Sequence, residues 1–285
     1  MCYTGITIIF SLYATDLPDS QNILRNSREN ALSAAIFATA RYQISSASSL
    51  SARLYASDDD NSIDYTGSSV FTTDYNGLDA GGTIAYDVTL PVNLRLHADA
   101  GVEWNRSSVN GQRDYTMRPT ANINASYAPG NGKHQLNFIA NYSQYSKGIS
   151  AKTPDEIQYN EFLYVIGNPL LKNVSRLMSE ASYIWLPANT FNLALAARYV
   201  VAFDDCLEQY SHYNEGGALL RSYINDGDFR QWNLIMQAVY RPINNLRFTV
   251  LAVYDISKRT STEANRTIHP FYGNLSVQYL SLIHI

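Results

Sequence analysis

Between Tyr183 and Phe203 the side chains alternate so regularly that few folds remain open to this chain. The stretch reads as two strands folded back on a tight turn, Leu186-Pro187-Ala188-Asn189. After the turn, Phe191, Leu193, Leu195, Ala197, Tyr199, Val201 and Phe203 form one apolar row. The other row holds Thr190, Asn192, Ala194, Ala196, Arg198, Val200 and Ala202, which are small, polar or charged. Period-two alternation is a strand pattern, because successive side chains leave opposite faces of a pleated backbone. A run of about thirteen residues is far longer than the usual strand of about five or six. It suits a tilted strand crossing a bilayer, which needs about 9 to 11 residues.

The same unit recurs along the 285 residues. Leu32, Ala34, Ile36, Ala38, Ala40, Tyr42 and Ile44 make one row, and Leu50, Ala52, Leu54 and Ala56 another. Further on, Leu94, Leu96, Ala98, Ala100, Val102 and Trp104 stand opposite Arg95, His97, Asp99, Gly101, Glu103 and Asn105. A soluble β-sandwich or a secreted β-solenoid would have to bury that charged row. If the row is wet, the apolar row faces something other than water. More hairpins follow at Tyr115–Tyr127 with Leu136–Tyr142, and at Trp232–Tyr240 with Leu246–Ile256, before a last strand over Phe271–Tyr279. Pro119 interrupts one row, and a bulge or a gap in the ladder is expected there.

Short turns carrying Pro, Asn or Gly alternate with long polar connections, notably Ala14–Asn30, Asp58–Leu78, Lys147–Asn173 and Asp204–Asp228. This asymmetry is that of outer-membrane barrels. The aromatics follow it. Tyr42, Tyr86, Tyr127, Trp185, Phe191, Tyr240 and Tyr279 sit near the short turns. Trp104, Tyr142, Tyr199, Phe203, Trp232, Tyr254 and Phe271 sit near the long connections, so two belts mark two interfaces. The expected fold is all-β: a transmembrane antiparallel up-and-down β-barrel of about twelve strands, in one domain over residues 1–285.

Composition agrees. Charged residues are only 16% against 46% hydrophobic, and there are 22 tyrosines. A net charge of −4 with no Lys/Arg cluster excludes a nucleic-acid surface. No apolar run is long enough for a transmembrane helix, which leaves a barrel untouched because its strands hide their apolar half. Met1 to Gly5 lacks the basic start of a signal peptide, and Leu280–Ile285 breaks the alternation without a closing turn. The chain is therefore expected to be a barrel fragment open at both ends, with its last few residues foreign to the native sequence.

Chemistry is hard to find. His97, His134, His212, His269 and His284 are scattered, and Cys2 and Cys206 lie far apart, so neither a metal set nor a disulfide framework emerges. No nucleophile elbow or phosphate loop is present. Asp58-Asp59-Asp60 with Asp64 lacks the glycine punctuation of a calcium loop and reads as a solvated acidic connection. No catalytic residue, metal or cofactor is assigned, and an enzyme is not expected. The candidates are of two kinds. Arg95, Asp99, Glu103, Arg118, Arg176, Glu180, Arg198 and Arg247 would face a lumen, as structural charge pairs or as selectors of a polar solute. Tyr159, Phe162, Tyr164, Tyr210 and Tyr213 would lie in the long connections, to stack on a ligand or to pack those connections together.

Ile166-Gly167-Asn168-Pro169-Leu170-Leu171-Lys172 precedes a strand carrying Glu180, Tyr183 and Trp185. It resembles the Gly-Asn-Pro-x-Leu-Lys segment before a late barrel strand of TonB-dependent receptors, especially those of Bacteroidota. The usual Pro-Glu after the lysine is replaced by Asn173-Val174. The lesser alternative for Gly167, Asn168, Pro169, Leu171 and Lys172 is a turn that merely starts a strand. The resemblance implies a barrel of about 22 strands, with a plug domain elsewhere in the same protein. It also implies an energy-coupling TonB complex, outer-membrane lipid around the barrel, and uptake of a glycan, peptide, iron chelate or cobalamin. The alternative is a non-transporting structural or adhesive barrel whose long loops bind partners. An outer-membrane enzyme is the weakest option.

Overall fold

The computed structural model describes residues 5–22, 25–67, 71–109, 111–130, 132–147, 151–152, 154, 156–160, 162–213, 217–262 and 265–279; the side chains of residues 5–30 and of a few later positions, Tyr159 among them, lie outside that description. Its strands are β1 (Gly5–Asn22), β2 (Arg25–Ser45), β3 (Ser48–Gly67), β4 (Phe71–Leu90), β5 (Leu94–Val109), β6 (Gln112–Tyr127) and β7 (His134–Tyr145). Then come β8 (Glu156–Asn160), β9 (Leu163–Ile166), β10 (Val174–Ala188), β11 (Phe191–Phe203), β12 (Cys206–His212) and β13 (Leu219–Asn225). The chain closes with β14 (Asp228–Ile243), β15 (Leu246–Thr260), β16 (Asn265–Ile268) and β17 (Phe271–Tyr279).

The main sheet runs β1-β2-β3-β4-β5-β6-β7-β10-β11-β14-β15, with β16 and β17 both on β15, and every pairing in it is antiparallel. β16 and β17 are two pieces of one stave interrupted at His269-Pro270, which gives the twelve staves the alternation predicts. Among the described residues the two outermost staves do not meet. The fold is an incomplete up-and-down barrel, an open antiparallel sheet.

Register sorts the two faces. Phe191 pairs with Tyr240 and Tyr240 with Phe248, so two belt aromatics and the Phe248 ring share one level on the apolar face. Tyr240 and Phe248 stack at 6.4 Å and Trp185 meets Phe191 edge-on at 5.9 Å. Towards the other end Tyr199 packs on Trp232 at 4.6 Å. Between these levels the apolar face keeps large side chains open: Leu54 is 63% exposed, Ile84 62%, Ile123 51% and Leu136 48%. Water would penalise such a surface by about 25 cal/mol for each Å² of apolar area, and lipid removes that penalty.

Several expectations are corrected. Ala14–Asn30 and Asp58–Leu78 are not loops: β1 and β2 pair from Gly5↔Arg41 to Asn22↔Arg25, and β3 and β4 pair as far as Tyr65↔Phe71. Polar residues with a good partner strand extend a hairpin as well as apolar ones do, because the ladder bonds are main-chain. Pro119 meets its expectation as a gap and not as a bulge: towards β5 it sits opposite Val102 in unbroken register. The gap lies on the other side, where the β6–β7 ladder ends at Ala121↔Tyr142. Pro187 and Pro242 do not make turns; both fall inside register shifts just before them, between Trp185 and Ala188 and between Tyr240 and Ile243. A bulge is where a residue without an N–H costs a strand least.

A second sheet, order β12-β13-β9-β8, stands where two long irregular connections were expected. β9 and β13 pair in parallel, Leu219↔Leu163 to Arg221↔Val165, which knits the two connections into one body.

Candidate functional site

The polar face of the main sheet carries the most connected set of charged side chains. Across β3 to β6 the register aligns Tyr55, Gly81, Glu103 and Arg118 in one transverse row. Gly81 is small for a reason: a Cβ there would stand 2.6 Å from the Tyr55 ring. The ring lies across the glycine and its hydroxyl donates to Glu103 on the far side. Arg118 donates to Asp79 at 3.0 Å, lies 3.5 Å from Glu103, and is only 19% exposed. Asn105 donates to the same Asp79 oxygen at 2.8 Å. One step along, His97 lies between Asp87 at 2.7 Å and Asp99 at 3.0 Å, and Asn122 donates to Asp99 at 2.9 Å. Partners on the same strand and one or two strands away offset most of these charges, though the Nε of Arg118 is buried without a hydrogen-bond partner.

The other half of this face is quieter. Arg198 meets Glu180 at 2.7 Å, and Asn233 donates to Asp255. Arg198 and Asn233 are register partners, so the four make one row, and apolar side chains stand on either side of it, with Val200 and Val239 buried. Arg176 and Arg247 lie on the same face, opposite Ser143 and Gln278. Register therefore places all eight expected lumen-side residues on one face. Of them, Glu103 with Arg118 and Glu180 with Arg198 form ion pairs, and Asp99 pairs with His97; Arg95 lies one pairing from Ser126.

The small sheet joins the main one through the Gly-Asn-Pro segment. Asn168 donates from its side chain to the Tyr223 carbonyl at 2.9 Å and accepts from the Leu170 N–H at 2.9 Å. The Asn225 side chain accepts from the Lys172 N–H at 2.7 Å and donates to the Asp204 carbonyl at 2.8 Å. Leu171 is buried with Ala151, Val174, Ala202 and Cys206, with Tyr223 and Phe229 packed on them. Gly167 and Pro169 shape the turn, and Lys172 contributes its main chain. The segment thus has a structural task, seating the small sheet at the start of β10. Asp205, 11% exposed, adds an ion pair to Arg259 at 3.0 Å, and buried Lys152 pairs with Asp114 on β6.

Tyr164 on β9 stacks at 4.0 Å on Tyr213, just past the end of β12, and the Tyr213 hydroxyl donates to Glu156. That hydrogen bond, with some burial, holds the Tyr213 phenol above its ordinary range. Burial pushes the Cys206 thiol and the Tyr223 phenol up as well. Tyr210 donates to Glu208 at 2.9 Å and is 52% exposed, while Phe162 is 67% exposed. Tyr164 and Tyr213 are thus brought together, whereas Tyr210 stands on the opposite face, opposite Arg221. Tyr159 is on β8, but its side chain lies outside the described residues. Among those residues no cluster of His, Cys, Asp and Glu is fit to hold a metal ion.

Tyr55 and Asp79 were missed as site residues. The available signal was the Gly81-Gly82 pair inside a strand, which marks a close approach. A Cβ at Gly101 would likewise stand 2.5 Å from the Gly82 carbonyl oxygen.

No family model and no characterised protein matches the sequence. Solved structures do match the fold. A structure named copper transporter OprC aligns with a TM-score of 0.71 at 10% identity, over 96% of this chain and 46% of that one. The FrpB iron transporter from Neisseria meningitidis aligns at 0.59 and 10% identity, over 83% and 38%. The alcaligin outer-membrane receptor FauA from Bordetella pertussis aligns at 0.58 and 11% identity, over 95% and 47%. The chain spans less than half the length of each of these three, and its open sheet resembles the barrel of TonB-dependent receptors.

Proposed function

We propose that this chain is a barrel segment of an outer-membrane TonB-dependent receptor that takes up a nutrient. One observation carries the reading: a single long antiparallel sheet exposes large apolar side chains on one face and links Tyr55, Asp79, Glu103, Arg118, His97 and Asp99 on the other. A wall of that kind separates lipid from a polar passage. The likeness to transporter and receptor barrels supports it, and the Gly167–Lys172 segment favours a receptor of the Bacteroidota type.

In this reading the short turns face the periplasm and the small sheet stands outside the cell, over the mouth of the passage. Tyr164, Tyr213, Tyr210 and Phe162 would then meet the cargo, be it a glycan, a peptide, an iron chelate or cobalamin. The polar face would seat a plug from elsewhere in the same protein, and transport would draw on the TonB complex. Growth of a deletion strain on each cargo as sole source tests the proposal. A defect on one cargo, restored by the gene, is expected; normal growth on all of them contradicts import.

A further inference from the structure

The short-turn end of the main sheet holds a cavity that the transport reading does not use. It measures about 210 Å³ and is lined by Arg241, Asn244, Asn245, Arg247 and Gln278. All five side chains carry N–H donors and none is a carboxylate. Arg247 and Gln278 are register partners on the polar face, at the last rungs of β15 and β17. Arg241 lies inside the register shift between Tyr240 and Ile243 near the end of β14, and Asn244-Asn245 is the turn itself. The Nε of Arg247 is buried and meets no hydrogen-bond partner among the described residues.

A buried guanidinium nitrogen without an acceptor is costly, because it has given up its hydration and gained no partner. On the same face the Nε of Arg118 is likewise buried without a hydrogen-bond partner, but Arg118 has the acids Asp79 and Glu103 beside it, as Arg198 has Glu180. Here two arginines and three amides converge with no acid among them. The space is ample for a tetrahedral oxyanion, since a water takes about 30 Å³. Guanidinium forks match the spacing of phosphate oxygens.

We infer that Arg241 and Arg247, with Asn244, Asn245 and Gln278, form an oxyanion site that takes a phosphate group. The turn lies beside Phe248 and the belt residues Tyr240 and Tyr279, at the level where lipid headgroups would stand. The group can therefore come from a phospholipid or from a free phosphate, and one experiment separates the two.

The intact protein, purified in dodecyl maltoside, is unfolded thermally against rising inorganic phosphate, and separately against phosphatidylglycerol with diacylglycerol as the phosphate-free control. Saturable stabilisation by phosphate, or by phosphatidylglycerol and not diacylglycerol, is expected in the wild type. Half-saturation should weaken by about tenfold or more in Arg247→Gln and Arg241→Gln. It should stay in place in Arg230→Gln, whose arginine is exposed beside Asp228. A response to phosphate alone assigns a soluble anion, and a response to phosphatidylglycerol alone assigns the lipid. No saturable response to either overturns the site, as does a response undiminished in Arg247→Gln.

Discussion

Leu195 owes its place to its neighbours two positions away, whereas Tyr164 owes its place to Leu220, in a different connection of the chain. The main sheet and the small sheet thus differ in what orders them. In the main sheet each strand pairs with one joined by a hairpin or by a single long connection, and alternation decides which face is which. In the small sheet β9 and β13 pair in parallel across the whole β10–β11 hairpin, and a modest cluster around Val174 and Leu171 anchors them. The first kind of order is repeated and local. The second rests on a few residues, so single substitutions should separate the two.

The largest effect is expected at Gly227. Its φ is +87°, and a Cβ there would fall 1.6 Å from the Thr260 carbonyl oxygen. Gly227→Val should cost about 3–5 kcal/mol, because neither the backbone nor the facing strand can yield cheaply. Limited proteolysis should then cut within residues 204–228 while the main sheet keeps its folded mobility in unheated gels. Equal loss of both would merge the two regions into one cooperative unit.

Next comes the lipid face. Leu195→Arg should cost about 2–4 kcal/mol in bilayer unfolding titrations, with Ala196→Arg much milder because it points to the polar side. Similar costs would break the assignment of faces. Gly101→Val comes third. Overpacking against the Gly82 carbonyl should cost about 1–3 kcal/mol and loosen the Asp79–Arg118 row, read by the same titration.

Asn168→Ala sharpens the comparison from the other side. It removes two side-chain hydrogen bonds, worth about 1–2 kcal/mol together, and should raise hydrogen exchange in β13 with little change in β11. The smallest effect concerns reactivity. Burial pushes the Cys206 thiol up, so at pH 8 its thiolate is scarcer than that of a free cysteine. In a Cys2→Ser background, alkylation should be slow in the folded protein and fast after unfolding.

Much of the main sheet was legible beforehand, for a physical reason: Phe191 to Phe203 must expose every second side chain to one medium, and composition records which. The two aromatic belts followed from the same periodicity. Asp58–Leu78 was misread because polar residues carry no facial signal, although their main chains pair just as well. The small sheet was invisible because nothing in Leu163–Ile166 or Leu219–Asn225 alone announces a parallel partner. At the site, Asp99, Glu103 and Arg118 were found, but Asp79 and the pairings were not. Glu103 with Arg118 depends on register, and Tyr55 with Glu103 depends on the empty space above Gly81.

The measurement that bears most directly on this account is lipid exposure along β11, residue by residue. Single cysteines at positions 191 to 199 of the intact protein, spin-labelled and reconstituted in bilayers, would be probed for collisions with oxygen and with a water-soluble quencher. The account predicts a period of two, with positions 193, 195 and 197 favouring oxygen and positions 194, 196 and 198 favouring the aqueous quencher. A profile without alternation, or one with the odd positions shielded from both, would contradict it.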